Sequence, residues 1–104
     1  MTDQECFELI ACATNKTMTV RIGGRSRYRT LYHLVKRGYL VPLKEKENPA
    51  FNPALLAGLD DNTTLILTDK AKMWILALDP ADFKTITWFP RSKDVRDAQK
   101  RLRA

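Results

Sequence analysis

The chain has one histidine, two cysteines and no CxxC spacing, too few ligands at the wrong intervals for a zinc site. Cys6 and Cys12 lie six residues apart on different faces of one predicted helix, so they cannot pair with each other there. Buried, inert thiols are the expectation. No hydrophobic run approaches the roughly 18 to 20 residues that span a bilayer. No signal-peptide pattern precedes the first helix pattern, so a cytoplasmic protein without a membrane partner is expected. Gly-x-Ser-x-Gly, Walker and dinucleotide-binding motifs are missing as well. With scattered carboxylates and one histidine no acid–base pair suggests itself, so neither an enzyme nor a cofactor is expected.

Acidic residues are missing from one long stretch. Between Lys16 and Lys44 stand eight basic residues (Lys16, Arg21, Arg25, Arg27, Arg29, Lys36, Arg37, Lys44) and no Asp or Glu. Six more lie between Arg91 and Arg103 beside Asp94 and Asp97, whereas the first fifteen residues hold three acids and no base. Over the whole chain 18 Lys and Arg oppose 12 Asp and Glu, a net charge of +6. Segregated positive charge attracts polyanions through counterion release. A merely solvated positive face is the plain alternative.

With 44% hydrophobic and 29% charged residues the chain fits a globular class, neither disordered nor coiled-coil. At 104 residues one domain over 1–104 is expected, able to bury a core without staples. Residues 2–15 open on a capping box, Thr2 with Glu5, and place Cys6, Phe7, Ile10, Ala13 and Thr14 on one helical face. Met18 to Ile22 alternates like a short strand, with a short helix as the competing reading. Gly23-Gly24 then forms a plain turn, or a phosphate-binding helix entrance.

The segment 25–37 predicts a helix of divided character. Tyr28, Leu31, Leu34 and Val35 fall on one side at intervals of three and four. Arg25, Arg29, His33 and Lys36 fall on the other. Gly38 stands where a helix stops in a left-handed conformation, and a strand pattern follows over Tyr39 to Lys44, with Pro42 marking a sheet edge. A second strand, Thr63 to Thr68, comes after an eighteen-residue insert with its own helix signal at Asn52-Pro53 and stop at Gly58. Thr68 or Asp69 caps a helix 70–78 with an inward stripe of Ala71, Trp74, Ile75 and Leu78. Met73, Leu76 and Ala77 make its other side apolar too, so it needs a second cover, from the C-terminal part or from another copy. Residues 83–89 read as a short strand or extended arm. Ser92 caps a last helix, whose thin stripe of Val95, Ala98 and Leu102 leaves Lys93, Arg96, Lys100, Arg101 and Arg103 for solvent or phosphate.

RTLYHLVKRGYLVPL followed later by LTDKAKMWI resembles the winged helix-turn-helix family. There the recognition helix ends in Leu-x-x-Arg-Gly-Tyr/Leu-Leu/Val, and the second wing strand runs into Leu-Thr-Asp/Glu-x-Gly. Such domains are common in small bacterial and phage regulators. The resemblance covers about residues 25–78 and implies an α+β, winged helix-like fold: a small antiparallel sheet on three or four helices, with an extended wing insert. Two departures stand out. VRIGGRSR is too short and too glycine-rich for the helix that normally precedes the recognition helix, and Ala71 replaces the usual glycine.

The resemblance implies double-stranded DNA as partner, with Arg25, Arg29, Thr30, His33 and Lys36 in the major groove, Arg37 at the helix end, and Lys44 and Lys46 near the wing on the backbone. A homodimer on two half-sites is the linked expectation. The competing function is a protein-interaction module, for example a phage protein that binds and inhibits a host protein. Phe51, Leu55, Leu56, Met73, Leu76, Trp88 and Phe89 are its candidate interface.

Overall fold

The computed structural model describes residues 1–23, 25–43, 59–83 and 90–104. Four helices and a small three-stranded antiparallel sheet make up an α+β architecture among them. In chain order these are α1 (Asp3–Thr14), β1 (Thr19–Arg21), α2 (Arg25–Lys36), β2 (Leu40–Pro42), β3 (Thr64–Leu67), α3 (Asp69–Leu76), a 3-10 turn (Pro80–Asp82) and α4 (Ser92–Arg103). The insert signals at Asn52, Pro53 and Gly58, and residues 84–89 of the strand or arm expected over 83–89, lie outside the described residues.

The predicted capping box starts α1. Glu5 N–H donates to Thr2 Oγ1 at 3.1 Å, and Thr2 N–H donates back to Glu5 Oε1 at 3.2 Å, which satisfies two amides left over by the first turn. The buried arc of α1 differs from the predicted face. It comprises Glu5, Glu8, Leu9, Ile10, Cys12 and Ala13, whereas Phe7 is exposed. The reason is tertiary: α2, α3, α4 and the sheet all pack against this helix. A helix with apolar or small residues at most positions does not by itself declare which arc its neighbours will cover.

β1 and β2 both pair antiparallel with β3, giving the spatial order β1-β3-β2. Val20 lies opposite Leu65, and Leu40 opposite Leu67, so these four side chains point to one face and join the core. Ile66, between them in sequence, is only half-buried. Pro42 does lie on an edge strand, where its missing N–H breaks no ladder. Met18, just before β1, has φ of +56°.

α4 is more deeply engaged than its thin apolar stripe suggests. Val95 and Ala98 are fully buried against α1 and α3, and Leu102 packs against the same core. Two polar side chains complete the fit. Gln99 Nε2 donates to the carbonyls of Ile75 (3.0 Å) and Leu78 (2.7 Å) at the end of α3. The Arg101 guanidinium donates to the carbonyls of Asn15 and Lys16 at the end of α1. Both helices leave carbonyls without intrahelical partners at their C-termini, and α4 supplies donors to each. Arg101 is thus held within the fold rather than offered outward. The expected cap also shifts by one residue: Arg91 is the N-cap and Ser92 the first helical residue. Asp94 decides this, because its Oδ2 accepts the Arg91 N–H at 2.8 Å.

α3 is capped by Thr68, whose Oγ1 accepts the Ala71 N–H at 3.3 Å, and it stops at Leu76 rather than Leu78. α4 supplies cover for the inward side of α3 within the same chain. On its outer side Met73 remains 70% exposed and Ala77 is exposed, while Leu76 is half-buried. No helix among the described residues is long and apolar enough to cross a membrane.

Candidate nucleic-acid interface

α2 is built by its two faces. Leu31, Leu34 and Val35 are at most 1% exposed, and Tyr28 packs partly buried against the same core. Burial of this kind contributes about 1.5 to 3 kcal/mol per large aliphatic side chain. It fixes the rotation of the helix about its axis. Arg29, His33 and Lys36 consequently stand exposed at i, i+4 and i+7, one above the other along the outer face. Arg25 begins the helix at the position that continues this row, and Thr30 is half-buried at its margin. Twelve residues of α-helix are about 18 Å long.

The C-terminal end of α2 is fixed by a dense set of bonds. Gly38 takes φ of +83°, a conformation easy for glycine. Its N–H donates to the Val35 carbonyl at 3.0 Å while the Tyr39 N–H reaches back to Leu34 at 2.9 Å, the Schellman arrangement that satisfies the last carbonyls. The segment LTDK then grips the same corner. Thr68 Oγ1 donates to the Gly38 carbonyl at 2.6 Å, and Thr68 N–H donates to Tyr39 at 3.1 Å. Lys70 Nζ donates to the Arg37 carbonyl at 2.7 Å and sits 4.6 Å over the Tyr39 ring, which in turn meets Trp74 edge-on at 6.3 Å. The two sequence segments VKRGY and LTDK therefore form one hydrogen-bonded corner.

Arg37 differs from the other cations of α2. Its Nη1 donates to Glu5 Oε2 at 2.7 Å, so this guanidinium, 51% exposed, also ties the end of α2 to the start of α1. Burial alone raises the Glu5 carboxyl. The hydrogen bonds from Thr2 and the Arg37 charge overcome that and hold it below the ordinary carboxylate value. A residue expected to contact only nucleic acid thus has a structural bond as well.

Tyr32 belongs to the outer face although the sequence reading passed over it. Its ring stacks on Tyr28 with centroids 6.0 Å apart and meets His33 edge-on at 5.9 Å. The signal was available in its spacing, three residues after Arg29 and four before Lys36, which places it on the basic side. Lys44, Lys46, Phe51, Leu55, Leu56, Trp88 and Phe89 lie outside the described residues.

Chemically, the outer face offers guanidinium, ammonium, imidazole and phenol groups. Among the described residues no three His, Cys, Asp or Glu side chains gather as metal ligands would. Among the described residues, open depressions lie elsewhere, one of about 280 Å³ beside β1 (Ala11, Cys12, Asn15, Thr19, Val20, Arg21) and one of about 180 Å³ at Thr17, Met18, Ile66, Leu67 and Lys72. Neither includes a residue of α2. Comparison of the chain with known protein families, with curated proteins and with solved structures finds no match in any of the three.

Proposed function

We propose that this protein binds double-stranded DNA, with α2 entering the major groove, as a small transcriptional regulator of the bacterial or phage kind. The observation that carries the reading is the exposed row Arg29, His33 and Lys36 on a helix whose opposite side is locked into the core. A major groove about 12 Å wide admits one α-helix, and arginine pairs its fork with guanine. Helix, strand, helix, strand, strand with sheet order β1-β3-β2 supports a winged-helix-like reading in which the β2–β3 connection is the wing. Here α2 follows β1 after residues 22–24, without the usual preceding helix, so docking relies on α1 and the Arg37–Tyr39 corner to orient it.

The test is a titration of labelled random-sequence duplex at several salt concentrations beside an Arg25→Ala/Arg29→Ala/Lys36→Ala variant. Binding that falls steeply with salt and is lost in the variant supports the reading. An absence of binding at low salt overturns it. On a selected site Arg29→Ala alone costs about 1 to 3 kcal/mol.

The exposed Met73 favours a second reading, a protein-interaction surface on the outer side of α3, used by a second copy or a host protein. Sedimentation at tens of micromolar tests the first of these partners: a monomer there counts against the dimer.

A further inference from the structure

The second concentration of basic residues lies on α4, a different helix from the one assigned to groove reading. Lys93, Arg96, Lys100 and Arg103 are all exposed. At steps of three and four they form one row, about 15 Å from first to last. That length matches the axial rise of four to five phosphates along one DNA strand at 3.4 Å each. Asp97 is the exposed acid within the row. Asp94, the other acid of the helix, accepts from the Arg91 amide and guanidinium at its N-terminus.

We infer that α4 is a second DNA-contacting surface, one that grips the phosphate backbone without reading bases; this rests on the proposed binding of duplex DNA. Three observations support it. First, the row is displayed on a rigid support: Val95 and Ala98 are fully buried, and Gln99 and Arg101 bond to the ends of α3 and α1. A polyanion therefore meets a helix already held in place, at little further cost in backbone order. Second, among the described residues the Lys and Arg side chains of this row make no hydrogen bond or ion pair within the fold, in contrast to Arg101 and Arg37, whose guanidinium groups hold elements together. Third, the surface suits a polyanion in water rather than a lipid headgroup layer. A helix that lies on a membrane needs a free apolar face, and the apolar side of α4 is consumed by the core. The residues it leaves exposed, Arg91, Lys93, Arg96, Asp97, Lys100 and Arg103, give nothing to insert.

The test compares two charge-matched variants of the full chain on random-sequence duplex DNA: Arg96→Gln/Lys100→Gln in α4, and Lys16→Gln/Lys72→Gln at exposed positions elsewhere. Each phosphate contact contributes about 0.9 to the slope of log K against log salt. The α4 pair is expected to lower that slope by nearly two, with the control pair changing it by less than about 0.5. Both pairs should melt with the wild type, and an α4 variant that melts early is replaced by Lys93→Gln/Arg103→Gln on the same exposed row, which is expected to lower the slope in the same way. Equal slope changes in the two variants overturn the inference, because net charge alone would then explain them. An unchanged slope in the α4 pair, with wild-type binding intact, overturns it while leaving the α2 reading standing. Capture by phosphatidylserine-containing vesicles that depends on Arg96 and Lys100, with DNA binding unaltered, overturns it in favour of a membrane surface. A wild-type protein that does not bind duplex at low salt removes both proposals.

Discussion

Removing the amide of Gln99 should destabilise the protein more than its place in a highly charged helix suggests. The side chain is 5% exposed, and both hydrogens of Nε2 are spent on the carbonyls of Ile75 and Leu78. Each such bond contributes about 1 kcal/mol net; the Ile75 carbonyl keeps the Leu78 N–H at 3.1 Å, so the Leu78 carbonyl is the acceptor that loses its donor, at about 1 to 3 kcal/mol. Gln99→Ala is therefore expected to cost about 2 to 4 kcal/mol, a fall in Tm of roughly 10 to 25 °C for a domain of this size. Gln99→Glu is the sharper probe, because a carboxylate has no hydrogen to donate and would face two carbonyl oxygens. Its folded-state pKa must rise above the unfolded value near 4.3. The resulting penalty is absent below the unfolded value, grows as pH rises through that interval, and is complete above the folded value. Urea melts of wild type, Gln99→Ala and Gln99→Glu at pH 4 and pH 7 read all three effects. A Gln99→Ala protein within about 0.5 kcal/mol of wild type, the range typical of a neutral surface change, would refute the reasoning.

Three further predictions concern other joints of the fold. Gly38→Ala should lose about 1 to 2 kcal/mol through its left-handed backbone alone, because a Cβ there meets only Lys70 Cδ at 3.9 Å, an ordinary contact; an unchanged urea midpoint would contradict this. The depressed Glu5 carboxyl contributes stability that is present above its unfolded pKa near 4.5 and lost as pH falls through the lower folded value. Glu5→Gln should flatten stability against pH over that acid interval, and an identical pH profile for variant and wild type would remove Glu5 from the account. Burial, with the nearby Glu8 charge, pushes the Cys12 thiol up to about 12. At pH 8 iodoacetamide should modify Cys12 only after unfolding, and peptide mapping that finds it labelled in the native protein as fast as in urea would contradict that burial.

The structure explains why VKRGY and LTDK are informative together. Gly38 provides the left-handed turn, Thr68 donates to the Gly38 and Tyr39 carbonyls and caps α3, and Lys70 reaches back to Arg37. The strand positions were legible in the alternation of Met18 to Ile22 and the β-like run Thr63 to Thr68, and Pro42 marked an edge, whereas the shared face of Val20, Leu65 and Leu67 came from the pairing. The corner and the strand positions rest on information local to a few residues: backbone conformations that only some side chains allow, and periodicities of two or 3.6.

The sequence by itself therefore determined the order of the main elements, the Thr2–Glu5 cap, the stop at Gly38 and the division of α2 into an apolar and a basic side. It did so because capping, handedness and amphipathic period act over three or four neighbours. Only the tertiary structure decided which arc of α1 is covered, that Arg37 pairs with Glu5, and that Arg101 and Gln99 serve the ends of α1 and α3. Those outcomes depend on groups from 21 to 86 positions apart in the chain. No local rule separates a cation that will bond a distant carbonyl from one that will face solvent. The distinction comes from which helix end the fold brings within reach of a guanidinium or an amide.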